Sequence, residues 1–318
     1  MNEFELIARY FQRPAKRALL GVGDDCALLA PRPGMALAVS VDMLVEGRHF
    51  FADVDPEALG HKALAVNLSD LAAMGAQPAW CTLALALPRA DADWLAAFAR
   101  GFYALAEASG IELVGGDTTR GPLTISIQVA GEVPLGQPLL RSGAQPGDEV
   151  WVSGELGAAA AAVMVRQGQQ LVLDASAMAH CAERLDRPTP RLELGQRLRG
   201  LATAALDLSD GLVGDLAHIC ERSSCGAVLD WSRIPRSPML AGLPEPLQQQ
   251  LALAGGDDYE LCFTAPAARS ARIRELAQAL GLPLSCVGRI EVGSGVRVED
   301  GRAQAVTLAQ HGYDHFAA

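Results

Sequence analysis

Lysine is nearly absent from this chain. Only Lys16 and Lys62 occur among 318 residues, and they follow Ala15 and His61. A P-loop holds nucleotide phosphates with the motif Gly-Lys-Ser/Thr, so the sequence excludes this class of nucleotide site. If the chain binds a nucleotide, groups other than a lysine ammonium must neutralise the phosphates.

Long apolar runs and an excess of positive charge are missing as well. No apolar run approaches the roughly 20 residues that span a bilayer, and the N-terminus does not have the basic and apolar regions of a secretory signal. The net charge is -11, from 26 basic and 37 acidic residues. This balance argues against nucleic acid and anionic membranes as partners and favours cations. We therefore expect a cytoplasmic protein.

The seven cysteines are scattered, and no CxxC pair occurs among them. The closest two, Cys220 and Cys225, have no further zinc ligands nearby in the sequence. This usage is typical of reduced thiols in the core of a cytosolic protein and does not indicate a zinc site.

The hydrophobic content of 50% over 318 residues predicts a sizeable core and two domains. Strand-like and helix-like segments alternate in both halves, which predicts the α/β class, of the α+β type. Residues 35–45 predict a buried strand, and Asp55-Pro56 predicts a helix start. A further helix is expected to end at Gly110. The turn-rich segment 141–149 predicts the boundary between domains 1–145 and 146–318.

Several acidic residues share one context, because each lies at the end of a strand-like run or inside an apolar helix. Each also has a purely structural interpretation. Asp210 could cap a helix, Asp42 could end a strand, and Gly115-Gly116-Asp117 could form a turn. The candidates are Asp24, Asp25, Asp42, Asp70, Asp117, Asp207 and Asp210.

Asp70 is the hardest of these acids to explain structurally. Asn67 and Asp70 stand three residues apart on one face of a predicted helix built otherwise from apolar residues. A buried carboxylate needs a partner, and no lysine or arginine lies within a helical turn of Asp70. The partner could be a metal ion or an arginine distant in the sequence.

If these carboxylates converge, they need cations. Two like charges 4 Å apart repel by roughly 4 kcal/mol at an effective dielectric constant of 20. The candidate ligands are all oxygen atoms, which suits Mg²⁺ or Mn²⁺ and argues against zinc. The sequence therefore indicates that metal ions hold phosphate groups here, in place of a P-loop lysine.

Eight segments, taken in order along essentially the whole chain, resemble the thiamine-monophosphate kinase family. Single segments would also fit the wider superfamily of aminoimidazole ribonucleotide synthetase and selenophosphate synthetase, so the ordered series carries the resemblance. The segments are GVGDDCALL, VDMLVEGRHF, NLSDLAAMGA, GGDTTRG, RSGAQPGD, LDLSDGL, GGDDYELCF and GYDHF.

The resemblance implies a two-domain fold of the aminoimidazole ribonucleotide synthetase type, with the N-terminal domains pairing in a homodimer. It also implies an active site between the domains that binds ATP, several Mg²⁺ ions and thiamine monophosphate. The implied metal-linked positions are Asp25, Ser40, Val41, Asp42, Asp70, Asp117, Asp207 and Asp210. The implied ATP contacts are Gly116, Asp117, Arg141 and Ser209, and the implied substrate contacts are His49, Asp257 and Tyr313.

Two positions depart from the family pattern. Val41 stands where threonine is common, so it can contribute only its backbone to a metal. Asp257 stands where glutamate is more frequent, and its shorter side chain reaches less far. Asp257 and Tyr313 would suit the cationic thiazolium ring of the substrate, or could instead form a turn and pack the C-terminus.

The implied reaction transfers a phosphoryl group from ATP to thiamine monophosphate. The nucleophile is a phosphate oxygen that is largely ionised at neutral pH, so no general base is required. Arg120 and Arg141 are candidate phosphate contacts, although Arg120 could be an ordinary surface residue. Two alternatives stay open: an ATP-dependent cyclo-ligase of purine synthesis, and a non-catalytic scaffold that binds Mg-nucleotide. His311 and His315 are expected to be tail residues without a metal.

Overall fold

The computed structural model describes residues 3–308 and residue 312, with side chains from Glu5 onwards. The chain divides into two compact units. Unit 1 is Met1–Leu71 with Ala76–Pro138, and unit 2 is Ala72–Gly75 with Leu139–Ala318. Residues 139–145 thus belong to the second unit by their contacts, and the boundary after residue 145 stays a prediction.

Unit 1 is built on a four-stranded sheet. The strand order is β1-β4-β2-β3, in which β2 and β3 are parallel and the other neighbours are antiparallel. Its elements are α1 (Glu3–Tyr10), β1 (Met35–Val45), α2 (Pro56–Ala73), β2 (Gln77–Leu87), α3 (Ala92–Ser109), β3 (Glu112–Arg120) and β4 (Thr124–Pro134).

Local sequence signals set the ends of these helices. Asp55 accepts a hydrogen bond from Ala58 N at 2.9 Å before the first turn of α2. Asp91 caps α3, and Gly110 ends it in the left-handed conformation at φ 71°. The predicted start at Asp55-Pro56 and the predicted end at Gly110 are confirmed.

Helices α2 and α3 cross where neither has a side chain. A Cβ atom on Gly60 would lie 2.1 Å from the carbonyl oxygen of Phe98, and one on Gly101 would lie 1.8 Å from that of Glu57. Only glycine permits backbones this close. The crossing holds α2, which carries Asn67 and Asp70, in one position.

Strand β1 has the predicted bounds, but the prediction that it is buried is wrong. It lies at the edge of the sheet, and its two faces differ. The even-numbered residues Ser40 and Asp42 face α2, with which they form hydrogen bonds. The odd-numbered residues are exposed, because successive strand residues point to opposite faces and no described element covers that side. These residues are Leu37, Val39, Val41 and Met43, with exposed fractions of 42%, 56%, 60% and 57%.

Unit 2 is built on a six-stranded sheet of order β10-β7-β9-β5-β8-β6. All neighbouring strands are antiparallel except β10 and β7. Its elements are β5 (Asp148–Ser153), α4 (Ala158–Arg166), α5 (Ala175–Asp186), α6 (Leu192–Leu198), β6 (Ala204–Asp207), α7 (Leu212–Ser223), β7 (Gly226–Asp230), α8 (Glu245–Ala254), β8 (Leu261–Pro266), α9 (Ser270–Leu280), β9 (Leu284–Glu291) and β10 (Gly295–Glu299).

Both faces of this sheet are buried. Along β5, Val150 and Val152 join a core with α7 and α8, whereas Trp151 joins a second core with α6 and α9. The period of two along the strand therefore supplies side chains to two separate helical layers. The α/β class predicted from the sequence is confirmed. Among the described residues, none of the helices combines the length and apolar character required to cross a bilayer.

Candidate functional site

Four polar residues of unit 1 form a group between β1 and α2. The Ser40 hydroxyl donates to Oδ2 of Asp70, and the backbone N–H of Asp42 donates to Oδ1 of Asn67 at 3.0 Å. Asn67 is fully buried and donates its own amide to the Ala63 carbonyl at 3.0 Å. We call Ser40, Asp42, Asn67 and Asp70 the β1–α2 acidic group.

The β1–α2 acidic group contains oxygen ligands of the type that Mg²⁺ prefers. Asp70 is only half-buried, and the Ser40 hydroxyl is one of its partners. The charged carboxylate is therefore less costly here than the apolar sequence of the helix suggested. Among residues 3–308 and 312, no three histidine, cysteine or acidic side chains stand together as a ready metal cage. The metal-linked roles of Ser40, Asp42 and Asp70 therefore stay predictions.

Asp24 and Asp25 lie at the surface of unit 1, and the apolar surroundings expected for them are not found. Both are exposed, and Leu28 and Leu29 beside them are 55% and 37% exposed. Asp24 accepts a hydrogen bond from the backbone N–H of Asp25 at 2.9 Å. Water therefore solvates these carboxylates, and burial gives no reason for a cation here. A metal role for Asp25 stays a prediction from the resemblance.

Gly116 and Asp117 lie on β3, beside β2. A Cβ atom at Gly116, whose φ is 151°, would lie 1.9 Å from the carbonyl oxygen of Leu83, so the fold itself requires glycine there. Asp117 and Arg120 are exposed on the same strand. The Gly116-Asp117 pair thus belongs to a strand and not to the turn that was the alternative.

Val41 and His49 belong to β1 and the loop that follows it. The Val41 side chain is exposed on the face opposite Ser40 and Asp42, so only its backbone could join them. The Nδ1 atom of His49 accepts a hydrogen bond from the Val45 backbone N–H at 3.0 Å. An accepting Nδ1 places the ring N–H of His49 on Nε2.

In unit 2, three predicted residues stand at the end of β6 and on the loop between β6 and α7. Asp207 is buried at the end of β6, and the Ser209 hydroxyl donates to Oδ2 of Asp210 at 3.1 Å. Asp215, one turn into α7, accepts from the backbone N–H groups of Asp210 and Gly211 at 3.0 and 3.1 Å. Asp215 therefore fixes the shape of this loop by binding two of its backbone N–H groups.

Burial and nearby charges shift the pKa of the Asp215 carboxyl. The pKa of this carboxyl is raised to about 7, chiefly by burial; the charge of Asp210 also raises it, whereas the N–H donors of Asp210 and Gly211 and the charge of Arg141 lower it. Arg141 is exposed, and its carbonyl accepts a hydrogen bond from the hydroxyl of Ser223 on α7 at 3.4 Å; the same hydroxyl accepts from Gly143 N at 3.1 Å. The guanidinium of Arg141 thus acts on the same loop as Ser209 and Asp210.

The second loop of unit 2, residues 255–260, runs beside the first. The Asp257 N–H donates to the Ser209 carbonyl at 2.9 Å, and the Tyr259 N–H donates to the Leu208 carbonyl at 2.8 Å. Asp257 and Tyr259 adopt left-handed backbone conformations, with φ of 67° and 50°. Non-glycine residues avoid this region, so the surrounding contacts hold the loop in its shape.

Sequence reasoning did not identify three acids of unit 2. They are Asp215, Asp258 and Glu260, all of which are buried. Asp258 accepts a hydrogen bond at 3.0 Å from the backbone N–H of Gly157, the residue directly before α4. Burial raises the pKa of Asp258 well above the ordinary value of 3.8. The available signal was that Asp258 and Glu260 lie inside the segment GGDDYELCF and that Asp215 follows the segment LDLSDGL by three residues. Tyr313, His311 and His315 lie outside the described residues.

The family described as AIR synthase related protein, N-terminal domain, matches residues 23–133. Its companion, AIR synthase related protein, C-terminal domain, matches residues 145–301. Together these ranges cover most of the chain, and the predicted two-domain fold of the aminoimidazole ribonucleotide synthetase type is confirmed. Escherichia coli HypE, a hydrogenase maturation protein, is 23% identical with a TM-score of 0.78 and shares the fold.

Closer relatives identify the family within this fold. Thiamine-monophosphate kinase of Escherichia coli K12 is 48% identical, over 99% of this chain and 98% of that protein. The crystal structure of thiamine-monophosphate kinase from Stenotrophomonas maltophilia K279a is 49% identical, with a TM-score of 0.85 over 95% of this chain and 96% of that one. The structure of AaThiL complexed with AMPPCP and TMP is 31% identical, with a TM-score of 0.78 over 90% and 89%. The chain belongs to the thiamine-monophosphate kinase family.

Proposed function

We propose that this enzyme transfers the γ-phosphoryl group of ATP to thiamine monophosphate. The observation that carries the proposal is the relative solved with AMPPCP and TMP, which matches 90% of this chain at 31% identity. The near-absence of lysine and the two sets of oxygen ligands, on β1–α2 and on the β6–α7 loop, support the same conclusion.

The chemistry is a direct in-line displacement at phosphorus. An oxygen of the thiamine monophosphate phosphate forms the new P–O bond, the bond between the γ-phosphorus and the bridging oxygen breaks, and ADP leaves with that electron pair. The attacking monoester has a second pKa near 6 and is already largely dianionic at pH 7. No general base is required, and positioning and charge account for catalysis.

Mg²⁺ fits the residues present, because the candidate ligands are carboxylates and hydroxyls. Asp25, Asp42, Asp70, Asp117, Asp207 and Asp210 would together hold several Mg²⁺ ions, and Ser40 and the Val41 backbone would assist. Bound there, the ions would neutralise the charge of the phosphates.

The protein's own donors and acids complete the proposal. Gly116, Asp117, Arg141 and Ser209 contact ATP, and the Arg141 guanidinium supplies the positive charge that lysine supplies in P-loop enzymes. His49, Asp257 and Tyr313 contact thiamine monophosphate. The Asp257 carboxylate offers a negative charge to the thiazolium cation.

The homodimer is part of the same proposal. The exposed face of β1, formed by Leu37, Val39, Val41 and Met43, is an apolar stripe on an edge strand, and such stripes mark protein interfaces. A second copy of the chain is the occupant that we propose. A cytoplasmic location agrees with seven cysteines, all within the described residues, that form no disulfide.

Incubation with ATP, Mg²⁺ and thiamine monophosphate, followed by product identification, tests the function. We expect one ADP and one thiamine diphosphate per turnover. ATP chirally labelled at the γ-phosphorus should give inversion of configuration, as a single in-line transfer requires. ATP binding without thiamine diphosphate would instead favour the scaffold, and a cyclised purine precursor as product would favour the cyclo-ligase.

A further inference from the structure

A buried network of ion pairs supports loop 255–260. Its centre is Glu260, the last loop residue before β8, which has no exposed surface. Its carboxylate accepts from the Ser153 hydroxyl at 2.6 Å, from Nη2 of Arg184 at 2.8 Å and from Nε of Arg191 at 2.6 Å. A second nitrogen of Arg191 also contacts Glu260. One carboxylate is therefore held by two guanidinium groups and a hydroxyl.

The network joins four parts of unit 2. Ser153 ends β5, Arg184 lies on α5, Arg191 directly precedes α6, and Glu260 leads into β8. The Ser153 hydroxyl also accepts from the backbone N–H of Leu261 at 2.9 Å. The position of Glu260 is therefore set by three separate elements besides its own.

Gly154 shows how little room the Glu260 carboxylate has. A Cβ atom on Gly154 would lie 2.1 Å from Oε1 of Glu260, and the φ of Gly154 is +61°. The loop after β5 therefore needs glycine for two reasons: the left-handed backbone and the carboxylate packed against it.

Glu260 anchors one end of a loop in an unfavourable backbone conformation. Its carbonyl accepts from Leu208 N at 2.8 Å, and Asp257 and Tyr259 donate to the carbonyls of Ser209 and Leu208. These bonds hold both left-handed residues. Backbone strain of this kind persists where the surroundings determine the conformation, and it concentrates at ligand sites.

A buried ion pair is weak evidence for stability, because well-packed apolar residues often serve equally well. Here the ion pairs of Glu260 fix the position of loop 255–260. We propose that Glu260, held by Arg184 and Arg191, is a positioning residue that directs the Asp257 carboxylate toward the cationic ring of thiamine monophosphate. This inference rests on the proposed function and assigns the ion pairs a role in substrate recognition.

The test uses variants that keep the buried charges balanced. Arg191→Lys retains the positive charge but cannot contact both carboxylate oxygens side-on. We expect the KM for thiamine monophosphate to rise about tenfold, with kcat and the KM for ATP changed less than about threefold. Asp257→Asn, which alters the proposed contact itself, should show the same division between the two substrates.

A second variant reaches the same carboxylate from another direction. Gly154→Ala displaces the Glu260 carboxylate but removes no charged group. It should also raise the KM for thiamine monophosphate about tenfold. Gly281→Ala is the matched control, because Gly281 has a φ of +59° with nothing within 4 Å of an added Cβ atom. The control carries the backbone strain alone and should leave both KM values unchanged.

The outcomes separate this inference from the proposed function. If the wild-type enzyme forms thiamine diphosphate, and folded Arg191→Lys and Gly154→Ala keep a normal KM for thiamine monophosphate, the positioning role is overturned. A rise in the KM for ATP of equal size would overturn it as well, since that indicates general damage. If the wild-type enzyme forms no thiamine diphosphate, the proposed function fails, and equal affinity of wild type and Arg191→Lys for thiamine monophosphate by calorimetry would reject the inference independently.

Discussion

The hydroxyl of Ser40 on β1 donates a hydrogen bond to the carboxylate of Asp70 on α2, 30 residues further along the chain. This bond orients a carboxylate that the resemblance to the family predicts to be a metal ligand. Groups that orient a ligand from outside typically change metal affinity or activity by about 10- to 100-fold when they are lost.

Ser40→Ala should therefore raise the Mg²⁺ concentration for half-maximal activity about tenfold, and Asp70→Asn should lower kcat/KM about 100-fold. Titration of activity with Mg²⁺ at saturating ATP measures the first effect, and rates at varied thiamine monophosphate measure the second. Ser109→Ala is the control, because that hydroxyl bonds only to its own helix α3. Unchanged Mg²⁺ dependence in Asp70→Asn would remove Asp70 from the metal site.

Glu132 on β4 ties the segment that carries Asp24 and Asp25 to the sheet. Its buried carboxylate pairs with Arg17 and Arg32 on either side of that segment, and Arg32 N donates to it at 2.8 Å. Removing one partner of a buried pair costs about 3–5 kcal/mol. Glu132→Gln should lower the free energy of unfolding by about 3 kcal/mol, measured in urea at pH 7, whereas Arg89→Ala at an exposed pair should change it little.

The contribution of Glu132 also depends on pH. Burial by itself would raise the pKa of Glu132, but the hydrogen bonds of Arg32 and the charges of Arg17 and Arg32 lower it from its ordinary value of 4.5. The stabilisation is therefore fully present above about pH 4.5 and is lost as the pH falls through the lower folded value. The stability difference between wild type and Glu132→Gln should shrink below pH 4.5; a difference at pH 3 as large as that at pH 7 would contradict this account.

Asp215 supports the β6–α7 loop through the backbone N–H groups of Asp210 and Gly211. Asp215→Ala leaves these buried donors without an acceptor, which costs about 1–3 kcal/mol each, and it should raise the KM for ATP. Asp215→Asn keeps an acceptor oxygen and should stay near wild type. Thermal unfolding and ATP kinetics of the two variants, compared side by side, check this; equal damage in both would show that the charge matters and not the acceptor.

The exposed side of β1 should hold two copies of the chain together. Val39→Asp places a charge in the centre of that apolar stripe, so we expect a monomer at concentrations where the wild type is a dimer. Sedimentation velocity distinguishes the two states. Val292→Asp is the matched control, because Val292 is 85% exposed at another place on the surface and should leave the dimer intact. A wild-type monomer at all concentrations would reject the interface.

Much of the local structure was predictable from the sequence. The strand at 35–45 and the helix ending at Gly110 follow from apolar periodicity and from capping residues within a few positions of the helix ends. The residues of the candidate site could also be selected as candidates from the sequence, because they belong to short polar motifs at the ends of apolar runs. Their partners were not: Glu260 is held by Arg184 and Arg191, 76 and 69 residues earlier in the chain.

The sequence by itself determined the fold class and the family and excluded a P-loop lysine, because periodicity, composition and ordered motifs are local or additive properties. Only the tertiary structure decided which carboxylates are buried. It placed Asp24 and Asp25 at the surface and made β1 an edge strand. It also buried Asp215 against the β6–α7 loop and Glu260 at the end of loop 255–260. Burial and ion pairing depend on which distant segments pack together, and that depends on the sum of many weak contacts that no single segment of sequence contains.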